Sequence, residues 1–283
     1  MSAVPAMTAV PAAGAERAIY LYCLARAECL PLVQALAAEQ LAGVDERYPV
    51  AALEEAGTVA VIGEVDSGEF SDQNLQSLPW VGPRAFRHEA VVERIMGAST
   101  VLPVKFGTIF RSRASLLEFL GRHREDVARV LEHLSDKAEW SVKGYLVDAQ
   151  ARPVVAASDA AIVSRMATLP AAPGARYLQQ KQLDVAIDAA LRLWLAQASE
   201  YLGQSLAPHA VDTSELRCHA GTVTGRSERM VFNASFLVAD AALAGFHAAL
   251  ALQQQAYAGT GRTLELRGPW PPYNFCPALA AGR

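Results

Sequence analysis

The sequence predicts an α+β protein of two domains, and three features carry that reading. Short β-branched, apolar runs alternate with longer stretches at helical spacing, so strands return through helices. Prolines at 153, 170 and 173, with Gly174, interrupt this pattern near the middle. The 283 residues suffice for one large or two ordinary domains, and 52% hydrophobic residues can fill their cores.

Taken in order, residues 1–16 repeat AVPA without a helical period and read as a flexible leader. Ala18–Ala25 is a buried strand and Glu28–Leu41 a helix. Tyr48–Leu53 and Thr58–Val65 are strands, followed by a polar loop over Asp66–Asn74. Pro83 opens the next helix, whose stripe is Ala85, Phe86, Val92, Ile95 and Met96, with Gly97 at its end. Val101–Phe106 is strand-like, and Pro103 argues for an edge or an irregular start. Ser115 and Glu118 form a capping-box pattern for a helix that buries Leu116, Leu120, Val127, Leu131 and Leu134. Trp140, Val142 and Leu146 share one face of a strand, with Ser141 and Lys143 on the other. The order is that of an open sheet with helices on one side, of which a ferredoxin-like core is the simplest form. This gives a first domain over 17–149.

Residues 150–175 read as a linker with a short helix at Ala157–Ala167. The second domain, 176–267, is a smaller α+β unit with a long helix. That helix runs Tyr177–Leu206 on a stripe of Leu183, Ile187, Ala190, Trp194, Ala198 and Tyr201. Glu215–Val223 and Arg229–Ala239 form a hairpin around the turn Thr224–Glu228. A helix from Asp240 to Tyr257 and a strand Thr263–Arg267 complete it. Residues 268–283 are a proline- and aromatic-rich tail.

Bulk properties narrow the functional classes. A net charge of −4 with 19% charged residues gives no electrostatic reason to bind nucleic acid or an anionic membrane. Cys23, Cys29, Cys218 and Cys276 contain no C-x-x-C pair and read as reduced thiols in a cytoplasmic protein, with Cys23 and Cys218 in buried strands. No apolar run is long enough for a membrane span, and no secretory signal is expected.

A search for chemistry yields no catalytic, cofactor-binding or metal-binding residues. His88-Glu89 lacks a second histidine at Val92, so it reads as a pair on the helix surface and not as a zinc helix. Neither a G-x-S-x-G elbow nor a phosphate loop is present. The arginines at 84, 87, 111, 113, 122 and 124 interleave with acids, as on a solvated helix face. Trp80, Trp140 and Trp194 read as core. Trp270 differs: Pro269, Pro271 and Pro272 stiffen the chain around it, so Trp270, Tyr273 and Phe275 form a clasp that either closes within the chain or meets a partner.

Four strings then carry a resemblance. VLPVKFGTIF (101–110), with His88-Glu89 upstream, EWSVKGYLVD (139–148), PGARYL (173–178) and GPWPPYNF (268–275) stand in the order and spacing of the gas vesicle GvpL/GvpF family. YLYCLA resembles the family's first strand, with Cys23 where glycine is expected. The chain is similar to members of that family from residue 88 to 275. The resemblance implies two α+β domains, the first ferredoxin-like, and a non-enzymatic accessory or minor structural protein of gas vesicle assembly. It also implies no cofactor, a location in the cytoplasm and at the gas vesicle, and partners that are the hydrophobic shell protein GvpA and other accessory proteins. Candidate partner-binding residues are Pro103, Lys105 and Phe106 at the sheet edge, and Trp270, Tyr273 and Phe275 in the clasp. An oxidoreductase or a small-molecule sensor on a ferredoxin-like scaffold is the alternative, resting on fold analogy alone.

Overall fold

The computed structural model describes residues 16–218 and 227–277. They form two compact units. One contains the described residues up to Ser135 together with those from Pro271 onward, and the other is Asp136–Trp270. The leader, the turn at Thr224 and most of the strand expected over Glu215–Val223 lie outside the described residues.

The first unit holds β1 (Arg17–Arg26), α1 (Leu30–Ala38), β2 (Val50–Glu55), β3 (Thr58–Asp66), α2 (Asp72–Leu75) and α3 (Leu78–Met96). It continues with β4 (Val101–Pro103), β5 (Ile109–Phe110), α4 (Arg113–Arg122) and α5 (Arg124–Leu134). The antiparallel sheet runs β2-β3-β1-β4, and β5 joins β1 beyond β4. With α1 and α3 as crossovers, this is the ferredoxin-like βαββαβ order.

Helices cover both faces of this sheet, which corrects the expectation of one. Tyr20, Tyr22 and Val61 pack on Val33 and Leu36 of α1 and Val91, Val92 and Ile95 of α3. Ile19, Leu21, Ile62 and Leu102 pack on Leu116, Phe119, Leu120, Val127 and Leu131 of α4 and α5. The reason is visible in β1 and β3, whose apolar runs do not alternate. A bulge in β1 lies between Leu21 and Cys23. It places Tyr20, Tyr22 and Cys23 in the same cluster, as a bulge does when it re-aims a side chain.

Three helix details also differ from expectation. Helix α3 begins five residues before Pro83, which lies inside it, and its buried stripe is His88, Val91, Val92 and Ile95. Phe86 is 76% exposed. The helix expected to bury Leu116 through Leu134 is broken at His123 into α4 and α5. Its capping box uses Ser112 and Ser115, each hydroxyl accepting from the other's backbone N–H, at 3.2 and 3.1 Å, and not Ser115 with Glu118.

The second unit holds β6 (Lys137–Leu146), α6 (Asp148–Ser158), α7 (Ala160–Ala167), α8 (Pro173–Leu206), β7 (Asp212–Glu215), β8 (Arg229–Ala239), α9 (Leu243–Tyr257) and β9 (Arg262–Trp270). The strand at Trp140 therefore belongs here and not to the first unit. Its antiparallel sheet runs β7-β8-β6-β9. In each unit the order is second, third, first, fourth, so the ferredoxin-like arrangement occurs twice.

The segment read as a linker is largely helical. Pro153 interrupts α6 without ending it, and Ala151, Val155 and Ile162 pack on Leu183, Ile187, Leu191 and Leu195 of α8. The α8 stripe drifts onto Leu191, Leu195 and Leu202, leaving Tyr201 exposed, because a heptad slips behind a straight 3.6-residue helix. Val142, Ala234, Phe236 and Leu264 form the sheet face that meets Phe246 and Leu250 of α9. Cys218 is exposed, against the expectation of burial.

Two glycines test this packing. Gly259 and Gly261 both have positive φ, 72° and 77°. A Cβ on Gly261 would lie 2.8 Å from the Ala151 backbone nitrogen, whereas one on Gly259 meets nothing within 4 Å. Gly259→Ala is expected to cost only the backbone strain, about 1 kcal/mol, and Gly261→Ala about 2–4 kcal/mol. Urea unfolding of the two variants measures the difference, and equal costs would contradict the packing.

Candidate functional site

The first unit contains a chain of buried polar groups that joins four segments. Tyr20 on β1 points into the cluster beneath α3, and His88 stands on the buried stripe of that helix at 3% exposure. The Tyr20 hydroxyl lies 2.8 Å from His88 Nδ1, and the Tyr273 hydroxyl lies 3.0 Å from Nε2. Gly107 N–H donates to the Tyr20 hydroxyl at 3.1 Å. Tyr22 stacks on the His88 ring, Phe106 meets it edge-on, and the Tyr22 hydroxyl accepts the Val44 N–H at 2.7 Å.

Counting protons orients the chain. The Tyr273 phenol donates to the Glu89 carboxylate, which can only accept, so the Tyr273 oxygen accepts from His88 Nε2–H and Nδ1 is left to accept the Tyr20 proton. His88 is then neutral with its hydrogen on Nε2, donated to Tyr273, whose phenol hydrogen-bonds the Glu89 carboxylate. Burial is the main cause that pushes His88 down to about 4 from an ordinary 6.5, while the Val104 carbonyl pulls the other way. Burial also raises the Tyr20 and Tyr273 phenols far above their usual range, and the Glu89 carboxylate adds to the effect at Tyr273. His88 and the two phenols therefore keep their charge state through the neutral range, and their hydrogen bonds tie the strap to β1 and α3.

The position it fixes is that of residues 271–277. Tyr273 is the anchor of this terminal strap, whose backbone hydrogen bonds are local: Tyr273 N–H to Pro271 and Phe275 N–H to Pro272, at 2.8 and 3.1 Å. Beside the strap lies a cleft of about 410 Å³. Leu21, Leu102, Val104 and Phe119 lie behind its walls, Lys105 and Thr108 line it from the loop after β4, and Tyr273, Asn274, Cys276 and Pro277 line it from the strap.

Of the expected partner-binding residues, the cleft gathers Pro103, Lys105 and Tyr273. Phe106 is half-buried against the core, Phe275 sits in the strap's turn, and Trp270 ends β9 in the second unit. The clasp is thus divided at Trp270. His88 is no surface residue, which corrects the sequence reading. Its spacing from Val91, Val92 and Ile95 is the signal that placed it inside. Leu21, Thr108, Phe119 and Cys276 were not singled out, since nothing local marks a residue as lining a cleft.

The sequence profile described as Gas vesicle synthesis protein GvpL/GvpF matches residues 18–277. The chain belongs to that family. Gas vesicle protein L of Streptomyces sp. (strain CB03234) is 27% identical over 240 residues, 80% of this chain and 83% of the relative. Gas vesicle protein F of the same strain is 28% identical over 188 residues, 66% and 75% of the two chains. The crystal structure of GvpF from Anabaena sp. PCC7120 superposes with a TM-score of 0.67 at 18% identity, covering 92% of this chain and 98% of its own. That of GvpF from Microcystis aeruginosa gives 0.60 at 18%, covering 91% and 98%. These two structures show the same fold. Among the described residues no helix is long and apolar enough to cross a membrane, and no group of three or more His, Cys, Asp or Glu side chains could hold a metal.

The buried imidazole sets a pH dependence. The folded state holds His88 at about 4 and the unfolded chain at 6.5, so the unfolded state binds the extra proton between these values. Stability from this group is complete above 6.5 and declines as pH falls to 4, by about 3 kcal/mol in all. Melting followed from pH 7 to 4 is expected to show this slope, and His88→Gln to flatten it. Tyr273→Phe leaves Nε2–H without its acceptor and is expected to cost about 1–3 kcal/mol at pH 7.

Proposed function

We propose that this gas vesicle family member is a non-enzymatic accessory or minor structural protein that binds the hydrophobic shell protein GvpA and supports vesicle assembly in the cytoplasm. The observation that carries the proposal is the family match across residues 18–277, since members bear the description of gas vesicle synthesis proteins. A strongly apolar shell subunit has to be shielded until it assembles, and a partner with a partly apolar recess can do this. Unit one offers such a recess in the cleft beside Lys105 and Tyr273. Other accessory proteins of the vesicle are further partners under this reading.

Co-expression of the full chain with GvpA, followed by affinity capture, tests the proposal. GvpA is expected to co-purify with the wild-type chain at near-stoichiometric yield. Capture of a folded chain without GvpA, in repeated co-expression, would contradict it.

A further inference from the structure

Helix α8 is 34 residues long and carries apolar side chains on two sides. Leu183, Ile187 and Leu191 are buried against α6 and α7. At about 100° per residue, Leu178, Val185, Ala189 and Ala196 fall within about 40° of one another on the opposite side. Leu178 and Val185 are 60% and 66% exposed, and both alanines are exposed as well. Leu193, at 61%, borders them. A helix that is apolar on both sides is normally covered on both.

The shape of this outer stripe says what fits it. Its positions follow steps of seven, four and seven, which is heptad spacing. A stripe this narrow is a seam for one helix and not a broad face for a planar surface. It extends over about 27 Å of helix axis. Ala189 and Ala196 are small, so a second helix can approach closely there.

Charge then selects the partner. Arg192 is exposed and stands in the stripe between Ala189 and Ala196, and Lys181 stands on its border. A helix laid over the stripe takes Arg192 partly out of water, so it must bring a carboxylate to that position. A second copy of α8 does not bring one, because its acids within this length, Asp184 and Asp188, both pair with Arg152. An anionic lipid surface calls for about four to eight clustered basic residues, whereas residues 178–196 hold two.

We infer that the outer side of α8 docks a helix of a different protein, with apolar side chains on Leu178, Val185, Ala189 and Ala196 and a carboxylate on Arg192. This rests on the reading of the chain as a binding protein and names the chemistry of what it binds. The contact side chains stand on a helix already held by α6 and α7, so little ordering is needed on binding.

Two fluorescein-labelled, amidated peptides probe the full chain in a polarisation titration. One is three repeats of Glu-Ile-Ala-Ala-Leu-Glu-Gln, and the other has lysine in place of each glutamate. The wild-type chain is expected to prefer the Glu peptide by about two- to fivefold, the range of an exposed ion pair, and Arg192→Glu to reverse the preference. Leu178→Gln with Val185→Gln removes two exposed apolar contacts at constant charge. This double variant is expected to weaken both peptides by at least about tenfold, with an unchanged circular dichroism spectrum. Leu252→Gln, at an exposed position of α9, is expected to leave both unchanged. An unchanged preference in Arg192→Glu, full binding to the double variant, equal weakening by Leu252→Gln, or no peptide binding at millimolar concentration would each overturn the inference. So would a wild-type dimer in sedimentation that the double variant makes monomeric, which would assign the face to a second copy. Phosphatidylserine vesicles that bind the wild-type chain and not the double variant, while neither peptide binds, would assign it to lipid. The two readings fail separately. Loss of peptide binding with GvpA capture intact removes the α8 face and leaves the accessory role standing. A preference reversed in Arg192→Glu without GvpA capture keeps the face and removes GvpA as its partner.

Discussion

A buried imidazole must satisfy two ring nitrogens without solvent, and here the partners of His88 come from segments far apart in the chain. Tyr20 supplies one hydroxyl from β1 and Tyr273 the other from the strap, while the Glu89 carboxylate that accepts from Tyr273 fixes the direction of the chain. An unpaired buried nitrogen would cost about 1–3 kcal/mol, so each group holds the others in place. Several local features serve this arrangement. The β1 bulge turns Tyr22 and Cys23 to the same side as Tyr20, and the aromatic rings around His88 exclude water. The low dielectric that makes the network demanding also keeps the histidine neutral. Because Tyr273 is fixed, the strap stands off from β4, and the recess between them exists as a preformed space.

The two units share a strand order and differ in how their sheets meet their surroundings. The first sheet is apolar on both faces, with helices on each. The second is mixed on one side: Val142, Ala234 and Phe236 face the helices, while Ser141, Asn233 and Ser235 share the opposite face with the buried Leu237. The same topology therefore rests on two different sequence patterns. One is apolar on both faces of its central strands, and the other backs an apolar face with a largely polar one. Nothing in composition links them, and strand pairing reveals the repetition.

This difference explains what could be read from the sequence. Strand positions around Ile19, Val61, Val142 and Phe236 were legible because β-branched and aromatic residues cluster there. The second helix layer of the first unit was not, because a continuous run does not say how many faces are covered. The division between units was misplaced by prolines: Pro153 lies inside α6, and the true change falls near Asp136, where no proline or glycine marks it. At the site, Lys105 and Tyr273 stood out through motif strings. His88 reads as a surface pair with Glu89 because no second histidine stands at Val92 to make a zinc helix, although its spacing matches the buried stripe. Leu21 and Phe119 line the cleft through tertiary placement alone, which no local pattern encodes.

The account depends on a neutral His88 with its hydrogen on Nε2, held between two phenols. Long-range proton–nitrogen NMR correlation of the imidazoles in the full chain at pH 7, with the His88 resonance assigned by its loss in His88→Gln, tests that state directly. The account requires a neutral ring with a protonated, slowly exchanging Nε2 and a nuclear Overhauser contact to the Tyr273 ring. A fast-exchanging imidazole that titrates near 6.5, or one with its hydrogen on Nδ1 and no contact to Tyr273, would contradict it.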